Sequence, residues 1–171
     1  ELSELLGYII ADGNLSKNRM NVSGKPELVE RAQAITESLF GKRGVLQKTT
    51  EKCWRLDVAC QTIPALLKDT FGIHIGKKAF IVKLPKQLFT ASTECKKAFV
   101  RAYYDCDGSV GTNLRAFSRS KQMMEDLAAI LHSLCFQTSY KIANGMHYCN
   151  ILGGTATILK YAQEIGSARA D

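Results

Sequence analysis

Two stretches of this chain end alike. Leu5-Leu6-Gly7-Tyr8-Ile9-Ile10-Ala11-Asp12-Gly13 and Val100-Arg101-Ala102-Tyr103-Tyr104-Asp105-Cys106-Asp107-Gly108 are apolar runs at helical spacing that close on Asp-Gly, with their aspartates 95 positions apart. Such a repeat constrains the fold strongly, because each copy should open the same run of elements. After each Asp-Gly comes a short polar stretch, read as a loop, and then a strand, at 19–24 and 114–120. An amphipathic helix comes next at 26–40, with Leu28, Ala32, Ile35 and Leu39 at helical spacing, and again at 121–135, with Met124, Leu127, Ile130, Leu131 and Leu134. Hairpins are expected over 44–60 and 138–153. Trp54, Leu56 and Val58 alternate with Arg55, Asp57 and Ala59, and His147, Cys149 and Ile151 with Tyr148, Asn150 and Leu152. A last helix closes each unit, at 62–72 and 155–166. The expected fold is α+β: two pseudo-symmetric α-β-α-β-β-α halves, 1–95 and 96–171, joined by a lysine-rich tract over 76–98.

At 171 residues with 46% hydrophobic and 23% charged side chains, the chain has the material for a real core, which excludes a mostly disordered polymer. Its net charge is +7, with fourteen basic against ten acidic residues in 1–95 and nine against six in 96–171. Both halves thus favour a polyanionic partner. No uncharged stretch approaches the length of a membrane span, and the acidic start lacks the basic region of an export signal, so an intracellular protein is expected. The six cysteines contain no C-x-x-C pair and are read as buried thiols, with no structural zinc.

The Asp-Gly helices carry a second pattern. Ser3, Gly7 and Ala11, and likewise Ala98, Ala102 and Cys106, place small residues at i, i+4, flanked by Leu5, Ile9, Ile10, Phe99 and Tyr103. Small stripes let two helix backbones approach closely. If they face each other, Asp12 and Asp107 arrive side by side at the same end of the pair. Each carboxylate then meets the negative end of a helix dipole as well as the other carboxylate. A hard divalent cation is the natural compensation. A single Asp-Gly would be read as an ordinary helix-ending turn with a left-handed glycine; two in matched register point to function.

These residues resemble the LAGLIDADG homing endonuclease family in its two-motif, single-chain form, and the likeness covers essentially the whole chain. Phe117-Ser118-Arg119-Ser120 and the Lys-Leu-Pro at 83–85 look most like the intein-borne branch. The resemblance implies two motif helices at the interface and two antiparallel sheets forming a DNA saddle. It implies Mg²⁺-dependent hydrolysis of both strands of a long, near-palindromic site, leaving 3′ overhangs. Mn²⁺ is expected to substitute, and Ca²⁺ to bind without supporting cleavage. Asp12 and Asp107 would hold the metal, with backbone oxygens of Ala11 and Cys106 as secondary ligands. The family often adds a lysine near a Pro ahead of the next motif. Lys83 is the first candidate, Lys77 and Lys78 the fallbacks, and a second-half equivalent would come after the helix ending near Gly166. A polar position falls on Gly24-Lys25 and on Arg119-Ser120. Asp105, whose counterpart is Ile10, is read as a helix-surface acid.

Recognition is expected on the solvent faces of the sheets, through Arg19, Lys25, Gln47, Lys48, Arg55 and Asp57 in the first half and Arg115, Arg119, Lys121, Lys141, Tyr148 and Asn150 in the second. Arg and Gln can read guanine and adenine edges, whereas Lys mostly grips phosphate. One chain should serve a two-fold site as a monomer, within a larger intein or intron-encoded polypeptide. An RNA maturase and a non-cleaving DNA-binding protein on the same scaffold remain the alternatives. A complete intein is not expected, since the chain starts with Glu1 and ends Arg169-Ala170-Asp171, without a splicing nucleophile or a His-Asn pair.

Overall fold

The computed structural model describes residues 1–109 and 113–167. In chain order the elements are α1 (Leu2–Asp12), β1 (Gly13–Ser16), β2 (Arg19–Gly24), α2 (Pro26–Phe40), β3 (Val45–Lys48), β4 (Trp54–Ala59), α3 (Thr62–Phe71), α4 (Lys86–Thr90), α5 (Thr93–Asp107), β5 (Gly108–Ser109), β6 (Arg115–Ser118), α6 (Lys121–Ser133), β7 (Thr138–Ala143), β8 (Met146–Ile151) and α7 (Gly154–Glu164). The strands form two antiparallel sheets of matching order, β1-β2-β4-β3 and β5-β6-β8-β7.

The duplicated plan is thus present, with one correction. A strand begins at the glycine of each Asp-Gly, β1 in the first half and Gly108–Ser109 (β5) in the second, so each unit reads α-β-β-α-β-β-α, with α4 added in the connecting tract. In β1 only Leu15 reports the alternation, buried opposite Met20 while Asn14 faces Asn21, and four residues are too few to show a period.

Each sheet buries one face under a helix. In the first half Leu15, Met20, Val22, Leu56 and Val58 meet Leu28, Val29, Ala32 and Ile35 of α2. In the second, Leu114, Ala116 and Cys149 meet Met123, Met124, Leu127, Ile130 and Leu131 of α6. Leu5, Ile9, Ile10, Phe99 and Tyr103 of the central pair feed both, so the buried apolar residues of the two halves make one continuous core. The cysteines depart from the sequence reading. Only Cys149 is buried, Cys95 and Cys135 are exposed, and all six are free thiols. Most of them sit at element ends and loops, where core packing does not enclose them. Among the described residues no helix is long and apolar enough to cross a membrane.

Candidate active site

The site begins with how closely α1 and α5 pack. A Cβ on Gly7 would lie 2.6 Å from the Cβ of Ala102 and 2.9 Å from the carbonyl oxygen of Phe99. Only glycine fits there, and the small-residue stripes are the contact surface. Asp12 and Asp107 are the last residues of their helices and arrive at the same end of the pair.

The glycines after them do not serve as left-handed caps. Gly13 (φ −94°) and Gly108 (φ −125°) are both extended. They are required by crowding: a Cβ on Gly13 would lie 2.6 Å from Cα of Ile9, and one on Gly108 2.6 Å from the carbonyl oxygen of Tyr104. Each half therefore turns from helix into sheet within one residue, which brings the aspartates to the joint between helix pair and sheets.

Asp107 is half-buried and its pKa is raised to about 7, first by loss of solvent and then by the charge of Asp12, with Lys78 pulling the other way. Asp12 is more exposed. Lys78 reaches in from the connecting tract. Its ammonium donates to the carbonyl oxygens of Ile9 and of Ile10, the latter at 2.7 Å, in the last turn of α1 where helix carbonyls lack intrahelical donors. Burial depresses the Lys78 pKa to about 8, against the opposing pull of Asp107 and Asp12. The tract is strapped to both halves. Gly76 donates its N–H to Leu15 O at 2.8 Å, Ser120 Oγ donates to Val82 O at 2.6 Å, and the Leu84 N–H donates to Asp126 Oδ2 at 3.1 Å. Beneath the strap lies a hollow of about 550 Å³ lined by Ile10, Asn14, Lys78, Phe80, Tyr103 and Asp107 among others.

The lysine brought to the aspartates is thus Lys78, one of the fallbacks. Lys83, the first candidate, is exposed on the rim of a neighbouring hollow that Lys78 and Ile10 also line, and Lys77 is exposed. Asp105 is not a surface acid: it is 1% exposed and accepts a 2.5 Å hydrogen bond from Ser167 Oγ. Sequence reading also missed Glu4, buried in α1, which accepts two bonds from Arg31 (3.0 and 2.9 Å) and one from Tyr8, with Arg101 at 3.5 Å. Burial pushes the Glu4 pKa up, but the guanidiniums of Arg31 and Arg101 outweigh it and hold the carboxyl below its usual range. A lone acid beside an apolar run gives no signal of this, because both arginines come from other helices.

The open face of the first sheet carries Gln47 beside Arg55, Asp57 beside Asn21, and Arg19 beside Ala59. Arg19 and Arg55 both pair with Asp57, at 3.3 and 3.5 Å. On the second sheet Arg115 lies beside Asn150, and Phe117 beside Tyr148 and then Lys141. Lys48 does not share the open face: it pairs with Trp54, two residues from the pair of partly buried Leu46 with buried Leu56, so its side chain leaves the sheet on the core side at its end. Strand alternation places it there, since Lys48 comes directly after Gln47. Lys25 stands at the entry to α2, and Lys121, in the first turn of α6, pairs with Glu125 at 3.1 Å. Ser120 caps α6 and Arg119 stands over the ring of Phe80.

No three His, Cys, Asp or Glu side chains converge as a metal set among the described residues. The donors at the helix ends are two carboxylates and main-chain oxygens, hard ligands that suit Mg²⁺ or Mn²⁺. Two carboxylates face one ammonium there, and that ammonium is bonded to the carbonyls of Ile9 and Ile10. The residues present therefore fit a divalent cation.

Comparison with known proteins agrees with this geometry. Residues 94–166 match the model of the LAGLIDADG-like domain. The chain is 30% identical to part of the replication factor C small subunit of Methanocaldococcus jannaschii over 97% of its own length, and 27% identical to part of elongation factor 2 of Methanopyrus kandleri over 90%. It spans only 9% and 12% of those two proteins. Among solved structures, I-DmoI in complex with DNA and Mn superposes with a TM-score of 0.71 at 16% identity, over 98% of this chain and 96% of that one. The N-terminal LAGLIDADG domain of DUF199/WhiA gives 0.67 at 14%, over 96% and 81%. Residues 94–166 thus form a LAGLIDADG-like domain, and the first half repeats its Asp-Gly motif and its sheet order.

Proposed function

We propose that this chain is a site-specific double-strand DNA endonuclease, hydrolysing phosphodiesters of both strands of a long, pseudo-palindromic site and leaving 3′ overhangs. The observation that carries the reading is the delivery of Asp12 and Asp107 to one end of a close-packed helix pair, flanked by two matching sheets in a protein of charge +7. A shared function for two carboxylates there accounts for an arrangement that is electrostatically costly as structure alone.

In this mechanism Asp12 and Asp107, with the carbonyls of Ala11 and Cys106, would hold Mg²⁺, and the chemistry it would supply is Lewis-acid activation of water and neutralisation of charge on the phosphate. The sheets grip the duplex and set the scissile phosphates over the aspartates. Lys78, anchored on the carbonyls of Ile9 and Ile10, places a cation against the phosphate, and its depressed pKa lets it hold or release a proton near neutrality. The halves 1–95 and 96–171 each serve one strand, so a monomer suffices. A nuclease that cuts a chosen genomic site would work inside the cell.

The matched relatives carry unlike names, a replication factor and an elongation factor, and this chain matches a small fraction of each. That supports reading it as an inserted, self-contained unit, an intein-borne endonuclease portion. The test is cleavage of a randomised duplex library in Mg²⁺, comparing the chain with Asp12→Asn and Asp107→Asn. Selected double-strand breaks that become nicks or vanish in the variants are expected. Tight selective binding without cutting would instead establish a DNA-binding protein on this scaffold, and failure to select any DNA would favour a maturase.

A further inference from the structure

We propose that the two sheets read their half-sites by different chemistry, the first selecting G·C pairs through hydrogen bonds and the second selecting T·A pairs through apolar contact with the thymine methyl. This rests on the DNA reading above and adds to it the composition of each half-site.

On the first face, Arg19 and Arg55 flank one carboxylate. Arg19 Nε lies 3.3 Å from Asp57 Oδ1 and Arg55 Nη2 3.5 Å from Asp57 Oδ2, with Asp57 largely covered. Pairing from both sides fixes the two guanidiniums on the sheet without using all their donors. A fixed guanidinium matches the O6/N7 edge of guanine, and the covered carboxylate of Asp57 orients both arginines toward it. The two groups this face presents to a groove are thus guanidiniums that complement the guanine of a G·C pair.

The corresponding face of the second sheet holds rings instead. Phe117 packs against Tyr148 with centroids 6.2 Å apart, and Arg115 lies 5.7 Å from the Tyr148 ring centre. Next to them Phe80, 68% exposed on the strap, lies under the guanidinium of Arg119 at 5.4 Å. Phe117 and Phe80 share the hollow beside Asp107, so this apolar stripe runs outward from the aspartate pair. Apolar side chains left uncovered on a solvent face mark a contact surface. Its arginines and Lys141 make it complementary to a polyanion, and among bases in a duplex groove only thymine presents a methyl group to such rings.

The test is a binding selection from a randomised duplex library in Ca²⁺, followed by base analogues in the selected site. Enrichment of G·C in one half and T·A in the other is expected. Replacing dT by deoxyuridine removes the methyl and should weaken binding several-fold in the second half alone. Replacing dG by 7-deazaguanine should weaken it about tenfold in the first half alone. Phe117→Ala should abolish sensitivity to deoxyuridine, and Asp57→Asn should reduce sensitivity to 7-deazaguanine. Both residues lie on an open sheet face, and thermal unfolding confirms that each variant folds. Selected sites whose halves respond alike to both analogues overturn the proposal while leaving the endonuclease reading standing. Failure to enrich any duplex overturns both.

Discussion

The two halves share a fold and differ at the positions where they meet. At the centre of the helix contact the first half has Gly7 and the second has Ala102, and the space between the backbones admits one Cβ. One helix turn earlier, Glu4 is a buried acid where the equivalent position, Phe99, is a buried phenyl. At the helix ends Asp12 is exposed and Asp107 half-buried. A homodimer would have to use one residue at both places. Joining the copies on one chain lets each member of a pair specialise, so the interface is two-fold in backbone and asymmetric in side chains.

The most damaging change would be to fill that single space twice. Gly7→Ala should cost about 3 kcal/mol, the upper range for overpacking, because the new methyl meets the main chain of Phe99 as well as Ala102. For a chain of this size that lowers Tm by roughly 6–12 °C. The exchange Gly7→Ala with Ala102→Gly should recover most of the loss, leaving about 1 kcal/mol for imperfect repacking. Calorimetry on the three variants decides it. An exchange as unstable as the single variant would show that the contact is not two-fold.

Glu4→Gln comes next. It leaves Arg31 and Arg101 beside a neutral amide, at a cost of about 2 kcal/mol, discounted from a fully buried pair because Arg31 is partly exposed. Since the folded Glu4 pKa is held below its unfolded value, its contribution is complete above the unfolded pKa and is lost as pH falls through the folded one. Glu4→Gln should therefore be less stable than the native chain at pH 7 and should converge with it in acid. A constant gap down to pH 3 would argue that shape, not charge, is what Glu4 supplies.

Asp107→Asn works in the opposite direction. The folded pKa, near 7, lies above the ordinary 3.8, so without metal the native state keeps a proton that the unfolded chain releases. Stability from this group is present below about pH 4 and falls as pH rises to 7. In chelator, Asp107→Asn should be more stable than the native chain at pH 8 by about 1–2 kcal/mol, a few degrees in Tm, and should lack that slope. Asp12→Asn, at the more exposed position, should gain less. Equal gains would mean that the two aspartates are equivalent. Stabilisation paired with lost activity is the expected signature of a functional carboxylate pair.

How much of this was legible in the sequence depends on how local each feature is. Helices α2 and α6 and strands β2 and β4 carry enough residues for a period to emerge, and the small-residue stripes foretold the contact at Gly7 and Ala102. Strand β1, at four residues, and β5 are too short and polar to declare themselves. Asp105 breaks no apolar pattern, and the hydroxyl that bonds it, Ser167, is 62 positions away. Lys77, Lys78 and Lys83 are indistinguishable along a tract without periodicity. Tertiary anchors, Gly76 on Leu15 and Val82 on Ser120, decide which ammonium reaches the helix end.

The mildest perturbation concerns those anchors. Ser120 caps α6 by accepting from the Met123 N–H at 3.3 Å while its hydroxyl donates to Val82 O at 2.6 Å. Ser120→Ala should cost about 1 kcal/mol, as for an ordinary cap. Ser120→Asp keeps a cap acceptor but cannot donate to Val82 when ionised, so it separates the two roles. If the strap positions Lys78, both variants should slow cleavage about tenfold, since small misplacements near reacting groups are costly, while only Ser120→Ala loses the cap. Cleavage that tracks helix stability alone, with Ser120→Asp fully active, would assign Ser120 to α6 and leave Lys78 held by its own bonds to Ile9 and Ile10.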